Sequence, residues 1–143
     1  MPNLNTVRVY TKFYTPSKKN SNYRYGTFKI EILYPLKLHT HLNPEKWMTY
    51  SKTQQVLMIS NELNRALNCL NSNHLLDAEK CYERAIELTD LTVEDPRWDN
   101  ALKELLRFRE VLSDLFLSKD IQLNRLSLST LLLFNVEAYN MLH

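Results

Sequence analysis

The sequence predicts an α+β fold, in which an N-terminal β-hairpin is followed by an antiparallel bundle of three to four helices. Apolar and polar residues alternate with period two near the N-terminus, whereas beyond residue 43 the apolar residues recur at helical spacing. The 143 residues include only one glycine, which favours helices because β-rich folds use glycine in turns and bulges. We expect a single domain, with a basic aromatic β-hairpin and connector in residues 1–42 and a helical bundle in residues 43–143.

Two segments near the N-terminus carry the strand pattern. The first predicted strand runs from Thr6 to Thr15, and the second follows the same alternation from Thr27 to Tyr34. A start of the second strand as early as Tyr23 is the alternative. Pro35 ends the second strand because proline cannot donate a hydrogen bond to a ladder. Between the strands, the stretch YTPSKKNSNYRYG from Tyr14 to Gly26 is interpreted as a long hairpin connection rich in turn residues.

The first two helices have separate start signals. Asn43 followed by proline begins a helix, and Ser51 with Gln54 three residues later forms a second candidate cap inside or at the head of the same helix. The predicted core stripe of this helix is Val56, Ile59, Leu63, Ala66, Leu67 and Leu70. The second helix runs from about Leu75 to Leu91. Its polar positions are interpreted as a solvated face, comprising Asp77, Glu79, Lys80, Glu83, Arg84 and Glu87.

The last two helices are separated by a short polar connection. Asp95 is the predicted N-cap of the third helix, and Pro96 is its first residue. Residues from Ser118 to Asp120 end this helix and cap a fourth segment, roughly Ile121 to Leu142, which is apolar on nearly all sides. The alternation within Leu126–Ser129 leaves a strand as the alternative there. Because the connections are short, we expect neighbouring helices to be antiparallel.

Charge is distributed unevenly along the chain. Residues 1–52 carry nine lysines and arginines against two glutamates, a net charge of +7, whereas residues 53–143 carry nine against fourteen acidic residues, a net charge of −5. No apolar run follows Met1, and the most apolar stretch, Leu126–Phe134, is too short to span a bilayer. We therefore expect a soluble, cytoplasmic protein with no membrane contact.

The sequence offers few residues for catalysis or metal binding. Cys69 and Cys81 lie on helical patterns and are expected to be reduced, because packed helix axes are about 8–10 Å apart and a disulfide needs Cα atoms closer than about 7 Å. His39 and His41 form an H-x-H pair, a weak metal signal without further ligands at close spacing. We expect no cofactor, no metal and no enzymatic activity.

The basic N-terminal segment permits three interpretations. Its lysines and arginine could neutralise phosphates while its tyrosines stack on unpaired bases. It could equally be a lysine-rich solvated edge that prevents strand pairing, or it could dock on an acidic protein surface, such as the helical part of a second copy. The candidate binding residues are Lys12, Tyr14, Lys18, Lys19, Tyr23, Arg24 and Tyr25.

The expected function is that of a non-enzymatic protein–protein interaction module or a small subunit of a larger assembly. Four consecutive apolar residues on a helix point in all directions, so at least one of them should face a partner protein or a second copy. These candidate interface residues are Leu131, Leu132, Leu133 and Phe134. The alternative is a subunit that binds RNA or DNA through the basic aromatic N-terminal hairpin.

Overall fold

In the computed structural model, the described residues are 36–135, together with the backbone of two short strands. Strands β1 (Lys12–Thr15) and β2 (Thr27–Ile30) pair in antiparallel register, with Lys12 opposite Ile30. The remaining elements, in chain order, are α1 (Pro44–Met48), α2 (Lys52–Asn71), α3 (Leu75–Glu94), a 3₁₀ helix (Pro96–Ala101), α4 (Leu102–Ser118) and α5 (Ile121–Leu132).

The predicted α+β fold class, with a β-hairpin packed beside the bundle, is wrong. Every regular element between residues 36 and 135 is a helix, and the described hydrophobic core comes from these helices and the connector that precedes α1. The physical reason is that the helices cover one another's apolar faces, so the core needs no sheet as a second layer. The period-two pattern is a local signal, and it does not determine whether a strand joins a core.

Four helices form a closed antiparallel bundle. Each of α2, α3 and α4 packs against the next helix in sequence, and α5 returns to pack against α2. Helix α1 lies against α3, and the 3₁₀ helix contacts both α3 and α4. The interior contains a buried ion pair, in which Arg109 Nε donates to Asp90 Oδ1 at 2.6 Å and joins α4 to α3. The packing of each helix against the next one in sequence is the arrangement that short connections produce in an up-and-down bundle.

The predicted helix starts are confirmed in position. The Asn43 side chain accepts from Lys46 N at 2.8 Å at the start of α1. Ser51 and Gln54 form a reciprocal capping box at the start of α2, so the two candidate caps begin two separate helices. Asp95 caps a helix whose first residue is Pro96, but the first turns are 3₁₀ before the chain continues as α4. Asp120 accepts from Leu123 N at 3.1 Å and caps α5.

Two helices end in a left-handed turn without glycine. Asn73 has φ 60°, and the backbone N–H of His74 donates to Cys69 O at 2.7 Å, which is the Schellman pattern. Lys119 has φ 54°, and its N–H donates to Leu115 O at 2.9 Å at the end of α4. The single glycine of the chain lies elsewhere, so an asparagine and a lysine take positions that glycine usually occupies.

The last segment differs from its prediction in extent and in environment. The stretch Leu126–Ser129 is helical, which excludes the strand alternative, and α5 ends at Leu132. The rest of the predicted helix, residues 136–143, lies outside the described part of the chain. Helix α5 also has distinct inner and outer sides, whereas its composition indicated an apolar surface nearly all round.

Candidate interaction surface

The outer side of α5, together with its C-cap residue Leu133, carries a stripe of exposed residues that includes two leucines. The Leu126 side chain is 64% exposed and the Leu133 side chain is 70% exposed, and they are seven positions apart, so they lie on the same side of the helix. The other exposed positions of α5 are Gln122, Arg125, Ser129 and Thr130. We call Leu126, Ser129, Thr130 and Leu133 the α5 face.

The hydroxyl groups of the α5 face are satisfied within the helix. Ser129 Oγ donates to Arg125 O at 3.2 Å, and Thr130 Oγ1 donates to Leu126 O at 2.9 Å. A hydroxyl group that donates within its own helix needs no further acceptor for its hydrogen. The α5 face therefore presents no unpaired hydroxyl hydrogen, and it contains no charged side chain.

The inner side of α5 holds the helix in one rotational position. Asn124 is fully buried, and its Nδ2 donates to the Tyr82 hydroxyl of α3 at 2.6 Å. Burial raises the pKa of Tyr82, and the hydrogen bond from Asn124 opposes that effect without cancelling it. Because a buried N–H without an acceptor is costly, the bond from Asn124 Nδ2 makes rotation of α5 unfavourable and keeps Leu126 on the outside.

The four residues singled out as an interface have different environments. Leu131 and Leu132 are buried in the bundle, and the Phe134 ring packs edge to face against Phe108 with 6.1 Å between centroids. Leu133 alone among the four is exposed. Periodicity could have identified Leu126 as its companion on the same helix side, since the two are seven positions apart.

The basic segment falls almost entirely outside the described residues. Lys18, Lys19, Tyr23, Arg24 and Tyr25 all lie outside them. Lys12 and Tyr14 fall within β1, for which the description covers the backbone only.

Three further leucines are exposed at the end of the bundle where α3 begins and α4 ends. Leu75 and Leu76 are 46% and 74% exposed, and Leu117 is 54% exposed. The ion pair between Lys119 Nζ and Glu79 Oε1, at 2.7 Å, holds the end of α4 beside the first turns of α3. This end therefore presents a second group of apolar side chains.

A shallow groove of about 380 Å³ runs along the seam between α2 and α3. Buried Glu62 at its side accepts from Arg84 Nε at 3.0 Å and from Arg65 Nη1 at 3.2 Å. Arg84 Nη2 lies 3.2 Å from Cys81 Sγ, and burial raises the pKa of the Cys81 thiol. Both cysteines are free thiols. The two arginines of this groove are thus already engaged by a buried carboxylate.

The connector before α1 is attached to α3 through a buried carboxylate. Glu87, 2% exposed, accepts from Leu38 N at 2.9 Å, from His39 N at 3.1 Å and from His39 Nδ1 at 2.8 Å. Burial alone would raise the pKa of Glu87, but these hydrogen bonds outweigh it and hold the pKa below its ordinary value.

The predicted solvated face of the second helix is therefore wrong at Glu83 and Glu87, which are both buried. The connector covers this side of α3, and Lys37 Nζ lies 3.6 Å from the Glu83 carboxylate. A sequence pattern shows which positions share a helix side, but it does not show that another segment will cover that side.

A second polar network joins α1, α2 and the 3₁₀ helix. Gln55 is fully buried, and its Nε2 donates to Asp95 Oδ2 at 3.1 Å and to Trp47 O at 2.9 Å. Its Oε1 accepts from Trp98 Nε1 at 2.7 Å, and Trp47 Nε1 donates to Thr92 Oγ1 at 3.1 Å. Sequence analysis missed Gln55, because a single polar residue within a helical pattern carries no signal of burial.

The described residues contain no group of three or more His, Cys, Asp or Glu side chains that could hold a metal ion. In the same part of the chain, no helix combines the length and the apolar character needed to cross a membrane. The sequence matches no protein-family model, and it shows no significant similarity to any curated protein or solved structure with which it was compared.

Proposed function

We propose that the protein is a non-enzymatic protein–protein interaction module, or a small subunit of a larger assembly, and that the α5 face takes part in its contacts. The observation that carries this proposal is the outward position of Leu126 and Leu133 on a helix whose inner side already completes the bundle. Burying a leucine fully is worth about 1.5–3 kcal/mol, so covering two that are roughly two-thirds exposed would contribute about 2–4 kcal/mol.

The buried polar groups support a structural role for the interior. Glu87, Gln55 and Asp90 are each held in bonds that join separate parts of the fold. Catalytic groups need a reacting atom within hydrogen-bond reach, in a cleft that admits the substrate. The groove between α2 and α3 is open and shallow, and its buried carboxylate is bonded to two arginines. The outer surface is thus the better candidate for function.

The test is affinity purification of the tagged chain from cells that encode it. After chemical cross-linking in the cells, we expect at least one protein, untagged copies of the chain included, to be enriched with the wild-type chain. Its enrichment should be lost when Leu126→Glu and Leu133→Glu are combined. Asn64→Glu is the matched control, because Asn64 is an exposed position on α2 and the change also adds a negative charge. Retention of every partner by the double variant would contradict a role for the α5 face.

A second candidate function is nucleic-acid binding by the basic N-terminal residues, which is favoured by the net charge of +7 over residues 1–52. Replacing Lys18 and Lys19 with alanine should weaken binding to every sequence and reduce the salt slope by about 0.7–0.9 for each phosphate that is no longer neutralised. Replacing Tyr23 or Tyr25 should cost about 1–3 kcal/mol with the slope unchanged. Absence of binding to single- and double-stranded DNA and RNA at low salt would exclude this function.

A further inference from the structure

We infer that the α5 face binds the α5 face of a second copy of this chain, with the two helices antiparallel about a two-fold axis. The inference rests on the proposed function, because it names the partner for the same surface. The Ser129–Thr130 pair would lie at the axis, and Leu126 of each copy would contact Leu133 of the other.

The residue pattern of the α5 face is symmetric about the point between Ser129 and Thr130. Leu126 lies three residues before Ser129, and Leu133 lies three residues after Thr130. A two-fold axis at that point places leucine against leucine on both sides and a small hydroxyl residue against another at the centre. A two-fold interface requires this kind of self-complementary surface, because residue i contacts j while j contacts i.

The centre of the face permits a close approach between helices. Serine and threonine are small, and both hydroxyl groups already donate to carbonyls of their own helix. Contact with another helix therefore leaves no donor of these two side chains without a partner. Helix axes approach to about 8–10 Å, depending on the side chains between them, and small residues favour the shorter distance.

Charge complementarity favours the antiparallel arrangement of two copies over the parallel one. Arg125 is the charged residue among the exposed positions of α5, and it borders the face. The two-fold axis places it near the C-terminal end of the partner's α5, where the carbonyl groups carry partial negative charge. A parallel arrangement would instead bring the two arginines together and align the helix dipoles.

The contact area predicts a weak dimer. Four residues on each side bury less than the ~800 Å² per partner that standard stable interfaces have. The dimer should therefore depend on concentration, and the weight-average mass in sedimentation should rise toward twice the monomer mass between about 5 and 500 µM. Leu133→Glu should keep the mass at that of the monomer over the same range, whereas Asn64→Glu should behave like the wild-type chain.

Cysteine cross-linking tests the geometry directly. The test uses a chain with Cys69→Ser and Cys81→Ser, whose helical content is first compared with wild type. In that chain Thr130→Cys should form a disulfide-linked dimer on mild oxidation, because residue 130 of each copy lies beside the axis. Cα atoms lie about 2.3 Å from their helix axis, so facing Cα atoms at the centre of a close helix contact come within the ~7 Å that a disulfide needs. Asn64→Cys is the matched control for random collision, because Asn64 is exposed on α2, and its yield of linked dimer should be far lower. Leu126→Cys and Leu133→Cys should link efficiently only when the two variants are mixed.

The outcomes separate this inference from the proposed function. A constant monomer mass in wild-type sedimentation overturns self-association, and this measurement does not depend on the cysteine replacements. Cross-linking of Leu126→Cys with itself, without enhancement in the mixture, overturns the antiparallel arrangement. If either result is found while affinity purification still yields a partner that the leucine substitutions remove, the interaction module stands and only the second copy is excluded.

Discussion

Asp95 provides the sharpest test of how the bundle is held together, and Asp95→Ala should lower the free energy of unfolding by about 1.5–5 kcal/mol. The carboxylate is 1% exposed and accepts from Arg97 N at 3.0 Å as the helix cap. Loss of an N-cap costs about 0.5–2 kcal/mol. The same change leaves one of the two buried Nε2–H groups of Gln55 without its acceptor, while the other still donates to Trp47 O, and this adds about 1–3 kcal/mol. Arg97 is 40% exposed, so its ion pair with Asp95 contributes little more.

Urea unfolding followed by tryptophan fluorescence suits this measurement, because Trp98 donates to the same Gln55 that Asp95 holds. Asp99→Ala is the matched control, since Asp99 is exposed in the same 3₁₀ helix, and it should change stability by less than about 0.5 kcal/mol. Asp95→Asn keeps a capping oxygen and should cost less than alanine. Equal losses for Asp95→Ala and Asp99→Ala would refute the assignment of Asp95 as both cap and interior acceptor.

The same carboxylate predicts a dependence of stability on pH. Burial would raise the pKa of Asp95, but hydrogen bonds from Arg97 and Gln55 outweigh it and hold the pKa below its ordinary value. A group with a lowered pKa stabilises the fold above its unfolded pKa of about 3.9, and this contribution is lost as the pH falls through the folded pKa. Urea midpoints should therefore fall less steeply with acidification in Asp95→Asn than in wild type.

Three further changes test other contacts. Glu87→Ala should cost about 2–4 kcal/mol and accelerate hydrogen exchange at the Leu38 and His39 amides, and unchanged exchange would argue against attachment of the connector. In a double-mutant cycle of unfolding free energies, Tyr82→Phe and Asn124→Leu should show a coupling of about 0.5–3 kcal/mol. Additive losses would mean that the 2.6 Å hydrogen bond from Asn124 Nδ2 to the Tyr82 hydroxyl contributes nothing to stability. Residue 73 has a left-handed backbone, so Asn73→Val should lower the free energy of unfolding, measured by thermal unfolding, by about 1–2 kcal/mol. Asn73→Gly should leave that free energy unchanged. Similar losses for both variants would contradict the turn assignment.

Features that depend on a few neighbouring residues could be predicted from the sequence. The caps at Asn43, Ser51, Asp95 and Asp120 all begin helices, because a cap consists of one side chain and a backbone N–H two or three residues away. The apolar stripes could also be predicted, since a helix repeats every 3.6 residues and its buried side follows from that period.

Burial, exposure and fold class were decided by tertiary structure, because each depends on contacts between segments that are far apart in the sequence. Glu87 has the pattern of a solvent-facing residue, and it is buried because a connector 48 residues earlier in the chain lies over it. The fold class was decided in the same way, since closure of α5 on α2 completes a core of helices without a sheet. Leu126 and Leu133 are exposed because Asn124 turns the opposite side of α5 toward Tyr82. Sequence periodicity determined which residues share a side of each helix, and packing between helices determined which of those sides meets water, because only the assembled chain has an interior.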